Sequence, residues 1–495
     1  MDPRLLVALA GGVFAIACSN PSAPSASASE PPTPQPVLGG KEFQNRAVNV
    51  TRMYEENCGK CHGMQAQGGS AKSLVNLDKF DQKWDVPFFN TIKKGNKDWG
   101  MDEFGATHSD EEVWSLVVHI RELQHQGLRN QGWAPKESGG VISSKYHKYK
   151  VETVVEDPSL RLPWCLSWLP DGKMLVTNRS GALNVFVNGK RIGSITGLPK
   201  LVELGQGGLM DAIPHPDYAK NGWLYLAIAD PKKNGGGAMT KIVRGKLAWN
   251  GGSATWSGTQ TIWESPQQFY NGAGIHFGGK IVFDKKGHIY FSVGERGGNM
   301  EAQKTTVPWG KIYRLNDDGT VPADNPAKNG PFPGMWTMGH RNPQGLTIDL
   351  DGNVWDAEHG PRGGDELNML RPGANYGWPA VCFGINYNDS PFMVPWPKPD
   401  QKIEMPVLRW LPSIATSGLA VCDGKLFPGW KGDLFIGGQA GRTVRRVRAK
   451  GGKLTEQEEI VWNMARTRDV RFGPDGALYV VLNEPDKIVR ISPVN

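Results

Sequence analysis

Cysteine is scarce in this sequence, and its spacing limits the metal sites that the chain can build. Six cysteines occur among 495 residues, and only Cys58 and Cys61 stand in a CxxC pair. A structural zinc site needs further ligands, such as a second CxxC or two closely spaced histidines, and the sequence has neither. Beyond this pair and residue 18, three cysteines remain (Cys165, Cys382 and Cys422). They permit at most one disulfide, which the sequence does not assign.

The sequence also has no block of basic residues, and no apolar run comparable to the one in its first 18 residues. The net charge of +7 is spread over the whole length, so a nucleic-acid partner has no support. With 39% hydrophobic residues, the chain has material for two or three domains with substantial cores. The 63 glycines and 18 tryptophans favour a turn-rich β architecture over a helical one.

The first 18 residues, MDPRLLVALAGGVFAIAC, have the pattern of an export signal and are too short for a membrane span. The ending AIAC resembles the bacterial lipoprotein signal, in which the cysteine (here Cys18) becomes the lipidated first residue. Asp2 and Ala15 depart from that pattern, and a plain secretory signal is the alternative. Residues 19–40, rich in Ser and Pro, predict a disordered tether. We therefore expect a periplasmic or other extracytoplasmic protein anchored to a membrane.

The stretch ENCGKCHGMQ, residues 56 to 65, predicts covalently bound haem. In a CxxCH motif, the thiols of Cys58 and Cys61 add to the two haem vinyl groups, and His62 becomes the proximal iron ligand. A thioredoxin-like dithiol is the competing interpretation, but it does not require the histidine. Because CxxCH occurs once, the sequence predicts a single-haem, one-electron module.

The residues around this motif predict a small all-α domain. We expect a helix over 41–57 and a second over 109–124, where Ser109 and Glu112 form a capping box ahead of an apolar face. Residues 41–127 or so resemble a class I cytochrome c.

The resemblance also implies a distal iron ligand. It places that methionine in a glycine-flanked loop before the last helix, where Met101 stands 39 residues after His62. Met64 is too close to His62 in sequence to reach the opposite haem face, and Met53 precedes the motif. Core packing is the more common role of a methionine, but once haem is granted Met101 is the expected ligand.

The long C-terminal region contains a repeated phrase. An apolar strand, a tight turn and a second alternating strand recur six times, at residues 166–179, 208–230, 280–297, 345–360, 418–438 and 469–484. This repetition predicts an all-β six-bladed propeller over residues 150–495, joined to the cytochrome c domain by a polar linker at 128–149. A β-sandwich is the alternative. In a propeller, loops from all blades converge on one axial face.

Six motifs in this region carry a resemblance to a known family. GQGGLMDAIPHPDY, HFGGKIVFD, GHRNPQGL, EHGPRGGDELN, PGANYGWP and RTRDVRFGPDG are similar, in that order, to segments of the quinoprotein glucose/sorbosone dehydrogenases. That family consists of six-bladed propellers that bind pyrroloquinoline quinone (PQQ) with Ca²⁺ and oxidise sugars. The resemblance covers about residues 150–495.

The resemblance implies a catalytic base. Oxidation at a carbinol carbon needs a base for the hydroxyl proton, and His276 matches the position of the family's base. His215 matches a scaffold position instead. The family usually has an acidic residue just before the base, where this chain has Ile275, so we expect another group to orient the imidazole.

The resemblance also implies contacts for PQQ, whose three carboxylates need cations and amide donors. The matching residues are Gln206, Arg341, Asn342, Arg466 and Arg468. Relatives often carry a lysine where this chain has Ala440, and Arg442 is the candidate to compensate for it.

Calcium contacts follow from the same resemblance. The carbonyls of Gly360 and Pro361 match those that hold Ca²⁺ against PQQ, and oxygen ligands from a tight loop suit this ion. Glu366 and the carbonyl of Tyr376 match a second calcium site of some relatives. The ion would polarise the quinone toward accepting hydride.

Together these patterns predict a quinohaemoprotein that oxidises an aldose or related sugar aldehyde at C1. Hydride would pass to PQQ, and electrons would continue to haem c and an external cytochrome, copper protein or terminal oxidase. We expect a monomer, with substrate contacts on variable loops such as 380–410. A non-catalytic binding propeller carrying an electron-transfer cytochrome is the alternative, and a propeller hydrolase is a further one.

Overall fold

The computed structural model describes residues 48–494, in which a helical region is followed by a β-rich region. The predicted export signal at 1–18, its lipidated Cys18, the tether at 19–40 and the first residues of the cytochrome segment lie outside the described residues. Among residues 48–494, no helix combines the length and apolar character needed to cross a membrane.

The helical region contains the expected capping box. Of the helix expected over 41–57, residues 41–47 lie outside the described residues; within the described part the helix starts at Val50, where the Asn49 side chain accepts the Arg52 N–H (2.8 Å) and caps it. The helices are α1 (Val50–Tyr54), a π-helical turn (Glu55–Gly59), α2 (Lys60–His62), α3 (Asp85–Lys94) and α4 (Asp110–Asn130), with α5 (Tyr218–Asn221) in the β-rich region. Short 3₁₀ turns occupy Leu77–Lys79, Gln82–Trp84, Lys97–Trp99, Phe104–Ala106, Gln267–Phe269, Asn299–Gln303 and Pro428–Trp430.

The α4 helix confirms the predicted capping box. The Ser109 hydroxyl accepts the Glu112 N–H (3.2 Å), and the Glu112 carboxylate accepts the Ser109 N–H (2.9 Å). The helix continues six residues beyond the predicted end at residue 124, to Asn130.

The segment at 128–149, expected to be a linker, has regular structure instead. It holds the end of α4 and a hairpin that pairs with the following strand; these strands are β1 (Lys136–Ser138), β2 (Val141–Ser143) and β3 (Lys148–Val155). The polar composition of this segment favoured a connector. Its strands were not evident from the local sequence, because β3 also pairs with β26 at the far end of the chain.

An eight-stranded sheet begins the remaining β region. It joins two antiparallel four-stranded meanders through parallel pairing of β7 with β11. Its strands are β4 (Pro163–Trp168), β5 (Met174–Asn178), β6 (Leu183–Val187), β7 (Lys190–Thr196), β8 (Leu209–Pro214), β9 (Trp223–Pro231), β10 (Ala238–Asn250) and β11 (Ser253–Trp263).

Three four-stranded antiparallel meanders follow. They consist of β12 (Gly278–Phe283), β13 (His288–Val293), β14 (Lys311–Asn316), β15 (Met335–Met338), β16 (Pro343–Ile348), β17 (Val354–Glu358), β18 (Asp365–Leu370), β19 (Leu408–Trp410), β20 (Thr416–Val421), β21 (Leu434–Gly438), β22 (Thr443–Lys450) and β23 (Lys453–Val461).

The last sheet closes the chain on itself. Its strands β24 (Arg466–Phe472), β25 (Leu478–Asn483) and β26 (Lys487–Pro493) are completed by β3 from the start of the region, which pairs with β26. The six predicted hairpins are confirmed: five are the first two strands of the five meanders, and the sixth is β24 with β25 in this last sheet.

The first strands of these units contact one another in cyclic order. β4 contacts β8, and the contacts run on through β12, β16, β20 and β24 back to β4. Apolar side chains fill the space between neighbouring units in several clusters, including one that contains Leu175 and Leu226 and another that contains Trp355 and Leu419. Segments that precede neighbouring inner strands also contact one another: the Gln206 N–H, before β8, donates to the Gly274 carbonyl, before β12 (2.7 Å).

Candidate functional site

The CxxCH residues lie on the continuous helical segment that runs from Val50 to His62. Cys58 is buried, burial raises the pKa of its thiol to about 12, and Cys61 is half-buried. His62 lies at the end of α2, and its Nδ1 is 3.0 Å from the Lys72 carbonyl oxygen. Donation from Nδ1–H to this carbonyl fixes the ring and leaves Nε2 as the free ligand atom.

Met101 is held in a short backbone hairpin. Its N–H and carbonyl pair with the carbonyl and N–H of Asn96 at 2.9 Å each, and its side chain packs against the apolar cluster that includes Cys58. Met53 is buried in that cluster, and the exposed Met64 folds back over Gly59. Axial ligation by Met101 stays a prediction.

The predicted quinone-site residues precede or begin the inner strands of different sheets. Gln206 precedes β8, His276 precedes β12, Arg341 and Asn342 precede β16, and β24 begins at Arg466. They therefore share one end of the cyclic arrangement. The carbonyl-bearing residues Gly360 and Pro361 follow β17, the antiparallel neighbour of β16, and so lie at the same end.

His276 is buried and oriented by a carboxylate. Its Nδ1 hydrogen-bonds with Glu295, which follows β13, so Glu295 supplies the orientation that Ile275 does not. Burial, with the nearby charge of Arg341, lowers the pKa of His276 despite the opposing effect of Glu295. Burial alone would raise the pKa of the Glu295 carboxyl, but hydrogen bonding by His276 holds it below the usual value. The imidazole is therefore neutral near pH 7 with Nε2 free to accept a proton.

The backbone around His276 is held in a costly conformation. His276 has φ of 52°, in the left-handed region, which costs a non-glycine residue about 1–3 kcal/mol. Its N–H donates to Gln206 Oε1 (2.8 Å), and the Gln206 N–H donates to the Gly274 carbonyl (2.7 Å). Gly205 has φ of +58°, and a Cβ there would collide with the same carbonyl, so the two loops lock together.

Arg296 is a further residue that sequence reasoning missed. Its guanidinium is buried 3.4 Å from the Phe277 ring centroid and donates to the Ile275 carbonyl, which supports the turn at His276. Burial lowers its pKa to about 9. The GERGG stretch that carries Glu295 and Arg296 lies within a predicted hairpin, and no local pattern marked it as part of the site.

Two arginines of the predicted quinone site have unpartnered donors. The Nε atoms of Arg341 and Arg468 are buried without a hydrogen-bond partner, although each guanidinium makes one other bond, to the Gly360 carbonyl (2.8 Å) and to Gln344 Oε1 (2.6 Å) respectively. Arg468 also lies over Trp164, 3.2 Å from the ring centroid. Buried cationic donors without partners are costly, and a ligand with several carboxylates fits them.

His359 belongs to the same group of residues, although the sequence analysis did not single it out. Burial and the charges of Arg341, His276 and Arg468 lower the pKa of His359 to about 3. Its N–H donates to the Asn342 carbonyl at 3.4 Å. The sequence feature that could have pointed to His359 is its place in the EHGP motif, two residues before the predicted calcium contact Pro361.

The remaining predicted PQQ contacts meet at Gln439. Arg466 donates to Gln439 Oε1 (3.1 Å), and the Arg442 N–H donates to the Gln439 carbonyl (3.4 Å). Arg442 and Ala440 are exposed in the turn between β21 and β22. Compensation for the missing lysine by Arg442 stays a prediction.

The first predicted calcium loop is ordered by its own polar contacts. The Gly360 N–H donates to Asp365 Oδ1 (2.9 Å), and its carbonyl accepts from Arg341. The second lone pair of that carbonyl remains available to a cation, and its neighbour Pro361 supplies a further carbonyl. These residues fit the predicted ion, which would lie near the Arg341 guanidinium.

A second group of buried acids surrounds Glu366. Asp356 is fully buried, both of its carboxylate oxygens lack a hydrogen-bond partner, and possible ligand atoms of His340, Asp356 and Glu358 lie within 4.8 Å of one another. Burial, with the charge of Glu358, raises the pKa of both Asp356 and Glu366 well above their usual values.

The chemistry of this group fits calcium. The carboxylate oxygens suit the ion, whereas His340 Nδ1 is 2.9 Å from Glu358 Oε1 and orients it. The ring of Tyr376, the other predicted contributor, stacks on His340 with centroids 5.0 Å apart. Sequence reasoning missed the three added residues because they meet only across strands and loops.

The three remaining cysteines are free thiols. Cys165, Cys382 and Cys422 are buried and unpaired, so residues 48–494 contain no disulfide.

Comparisons with known proteins match both regions of the chain. Residues 160–490 match the family described as Glucose / Sorbosone dehydrogenase, and residues 45–120 match the family described as Cytochrome C oxidase, cbb3-type, subunit III. Aldose sugar dehydrogenase YliI of Escherichia coli is 37% identical over 354 residues, which cover 70% of this chain and 94% of the relative.

Two further relatives agree with this match. Quinoprotein glucose dehydrogenase B of Acinetobacter calcoaceticus is 30% identical over 249 residues, covering 45% of this chain and 51% of the relative. The crystal structure of the soluble aldose sugar dehydrogenase from Escherichia coli in the apo-form superposes with a TM-score of 0.63 at 35% identity, covering 70% of this chain and 100% of the other.

The raised pKa values of Asp356 and Glu366 predict how calcium affects stability. Without the ion, the folded state binds more protons than the unfolded state, so the free energy of unfolding should fall as pH rises above about 4. Calcium bound by these carboxylates would replace the protons. The increase in Tm on adding Ca²⁺ to chelator-treated protein should therefore be larger at pH 8 than at pH 5, measured by differential scanning calorimetry.

Two variants identify the origin of that effect. Asp356→Asn should reduce the calcium-dependent increase in Tm at pH 8, whereas Asp351→Asn, an exposed residue of the same hairpin, should leave it unchanged. An increase of equal size at both pH values, or one that Asp356→Asn does not change, would contradict the assignment.

Proposed function

Because the chain belongs to the glucose/sorbosone dehydrogenase family and carries a cytochrome c domain, we propose that it is a quinohaemoprotein that oxidises an aldose or related sugar aldehyde. The observation that carries this proposal is the pairing of His276 with Glu295, together with the unpartnered donors of Arg341 and Arg468; His276 and both arginines lie near His359. A base next to a polyanion pocket is what quinone-dependent oxidation requires, and a binding module has no need of it. The relatives named as aldose and glucose dehydrogenases support the substrate class.

The residues of the site have separate roles in this proposal. His276 Nε2 takes the C1 hydroxyl proton of the sugar, and Glu295 stabilises the imidazolium that forms. Bound PQQ would supply the acceptor for the hydride that leaves C1, and oxidation of an aldose would then give a lactone. The carboxylates of the cofactor would be held by Arg341, Arg468 and neighbouring donors from Gln206, Asn342, Arg442 and Arg466. The carbonyls of Gly360 and Pro361 would hold Ca²⁺ beside it.

The architecture proposed for this activity is a six-bladed β-propeller over residues 150–495. Two observations support it. If the eight-stranded sheet is counted as two units that meet where β7 pairs with β11, the β region has six units, and their inner strands contact one another in cyclic order. The cytochrome c domain is assigned to residues 41–127. A second calcium ion would bind at Glu366 and the Tyr376 carbonyl, close to the buried acids.

The haem is proposed as the first electron acceptor. Oxidation of one sugar yields two electrons, and a single haem linked to Cys58 and Cys61 carries them one at a time to an external cytochrome, copper protein or terminal oxidase. His62 and Met101 are the proposed axial ligands. The export pattern of residues 1–18 supports a location outside the cytoplasm, with Cys18 as a lipid anchor. We also propose that the enzyme is a monomer.

Substitution of the catalytic pair tests the proposed chemistry. We expect His276→Gln to lower kcat by about 10²–10⁴-fold because general-base catalysis is lost. Glu295→Gln should lower kcat less. It should also move the acid limb of the kcat/KM profile to lower pH, since hydrogen bonding to the carboxylate raises the pKa of His276. Dye reduction by aldoses, followed from pH 4 to 9, measures both effects.

PQQ binding provides the control for that experiment. Both variants should still bind PQQ in the presence of Ca²⁺, as seen by fluorescence titration. An unchanged kcat for His276→Gln would contradict the assignment of the base. Absence of PQQ binding by the wild-type protein would favour a non-catalytic propeller.

Loss of the iron ligand tests the proposed relay. His62→Ala should abolish sugar-dependent reduction of an external cytochrome but spare the reduction of small dyes, because dyes accept electrons at the quinone site. Met64→Ala, at a neighbouring exposed methionine, should change neither rate. Equal loss of both activities in His62→Ala would rule out the relay.

A further inference from the structure

The cytochrome region packs against the loop that follows β17 and the segment between β18 and β19. Val118 and Trp114 of α4 share one apolar cluster with Phe383, Ile385 and Leu411. The buried Trp114 indole N–H donates to the Phe383 carbonyl (2.9 Å). A large apolar side chain with one specific hydrogen bond both stabilises the contact and fixes its orientation. Residues of loop 380–410, expected to contact substrate, thus form part of this contact.

Arg362 joins α4 to the predicted calcium loop. It directly follows Gly360 and Pro361, and its guanidinium donates twice to the Glu122 carboxylate of α4 (2.8 and 2.7 Å) and once to Asp389 (2.6 Å). A bidentate pair of a planar guanidinium with a carboxylate allows little relative rotation. Arg362 is only partly exposed, so water competes weakly for these bonds.

Asp389 joins the same arginine to the helical segment that carries the CxxCH motif. Its carboxylate accepts the Thr51 N–H (2.9 Å), and its carbonyl accepts the Val50 N–H (2.8 Å). These are the first N–H groups of the segment, which have no partner within a helix. One residue of the β region therefore caps the helix that ends at His62 and also holds Arg362.

The calcium loop also touches α4 directly. Gly363 has φ of +88°, and a Cβ there would lie 2.8 Å from Leu411 Cδ2 and 3.3 Å from Val118 Cγ1. The close approach of backbone to helix thus depends on a glycine at this position.

A second set of contacts leads from Glu122 back to the haem ligand. His119 Nδ1 lies 3.7 Å from Glu122 Oε2, and its ring centroid is 5.1 Å from that of Tyr54. The Tyr54 hydroxyl donates to the carbonyl of Gly63 (3.0 Å), the residue after His62.

We propose that Glu122, Arg362 and Asp389 hold the cytochrome region in one orientation against the calcium loop, so that electrons cross at a permanent internal junction. This inference rests on the proposed relay. Oxidation of one sugar releases two electrons and two protons. The electrons would cross singly: the first would reduce ferric haem to ferrous haem, the external acceptor would reoxidise the haem, and the second electron would then follow, while the two protons leave to solvent. Arg362 acts here as a positioning residue for the junction.

The test uses the full-length holoprotein with Glu122→Gln and Asp389→Ala. Arg490→Gln serves as the matched control because it removes an arginine–carboxylate pair with Asp475 outside the contact. Hydrogen exchange of the segment 50–54 reports docking without any activity. We expect exchange at Val50, whose acceptor is the Asp389 backbone carbonyl that the substitution keeps, to accelerate at least tenfold in Asp389→Ala and to stay unchanged in Arg490→Gln.

Rapid mixing with sugar under anaerobic conditions gives the second readout. Haem reduction should slow at least tenfold in both interface variants, while dye reduction stays within twofold of wild type. The wild-type haem rate should not depend on protein concentration or salt, as expected for a docked donor and acceptor.

The outcomes separate the two proposals. Equal exchange in wild type and Asp389→Ala, or haem reduction that neither variant slows, would overturn the internal junction while the dehydrogenase remains. If sugar reduces neither dye nor haem in the wild-type protein, the proposed function fails. The exchange measurement then still decides whether the cytochrome region is docked.

Discussion

The pairing of β3 with β26 is the constraint on which the arrangement of the β region depends. It joins the first long strand of the region to the last and closes the cyclic contacts of the inner strands. An open arrangement would leave an exposed strand edge and would let the loops before the inner strands spread apart. Closure holds them at one end, so residues such as His276 and Arg468, far apart in sequence, can serve one site.

The site at that end contains polar groups that the fold itself does not satisfy. Arg341 and Arg468 keep unpartnered donors, and Asp356 keeps unpartnered oxygens. Such groups destabilise a folded protein unless something binds them. Their signs differ by location: cations surround the proposed quinone pocket, and acids surround the proposed second calcium ion. Binding of cofactors at these residues would therefore also stabilise the folded protein.

Local patterns predicted much of this protein, and long-range contacts escaped prediction. The hairpins and the capping box of α4 follow from turn chemistry and short-range hydrogen bonds, so they were visible in the sequence. Glu295 was not, because it orients His276 from the end of a neighbouring strand. The contacts of Arg362 were hidden for the same reason, since Glu122 lies 240 positions away. The resemblance to a family implied individual site residues, but it did not reveal the neighbouring residues that position them.

The central claim is that sugar oxidation in the β region reduces the haem of the same chain. The most direct measurement is to reconstitute the protein with PQQ and Ca²⁺, add aldoses one at a time under anaerobic conditions, and record the haem absorption bands. The account predicts reduction of the haem only when sugar, PQQ and Ca²⁺ are present together. A haem that stays oxidised while dyes are reduced under the same conditions would contradict it.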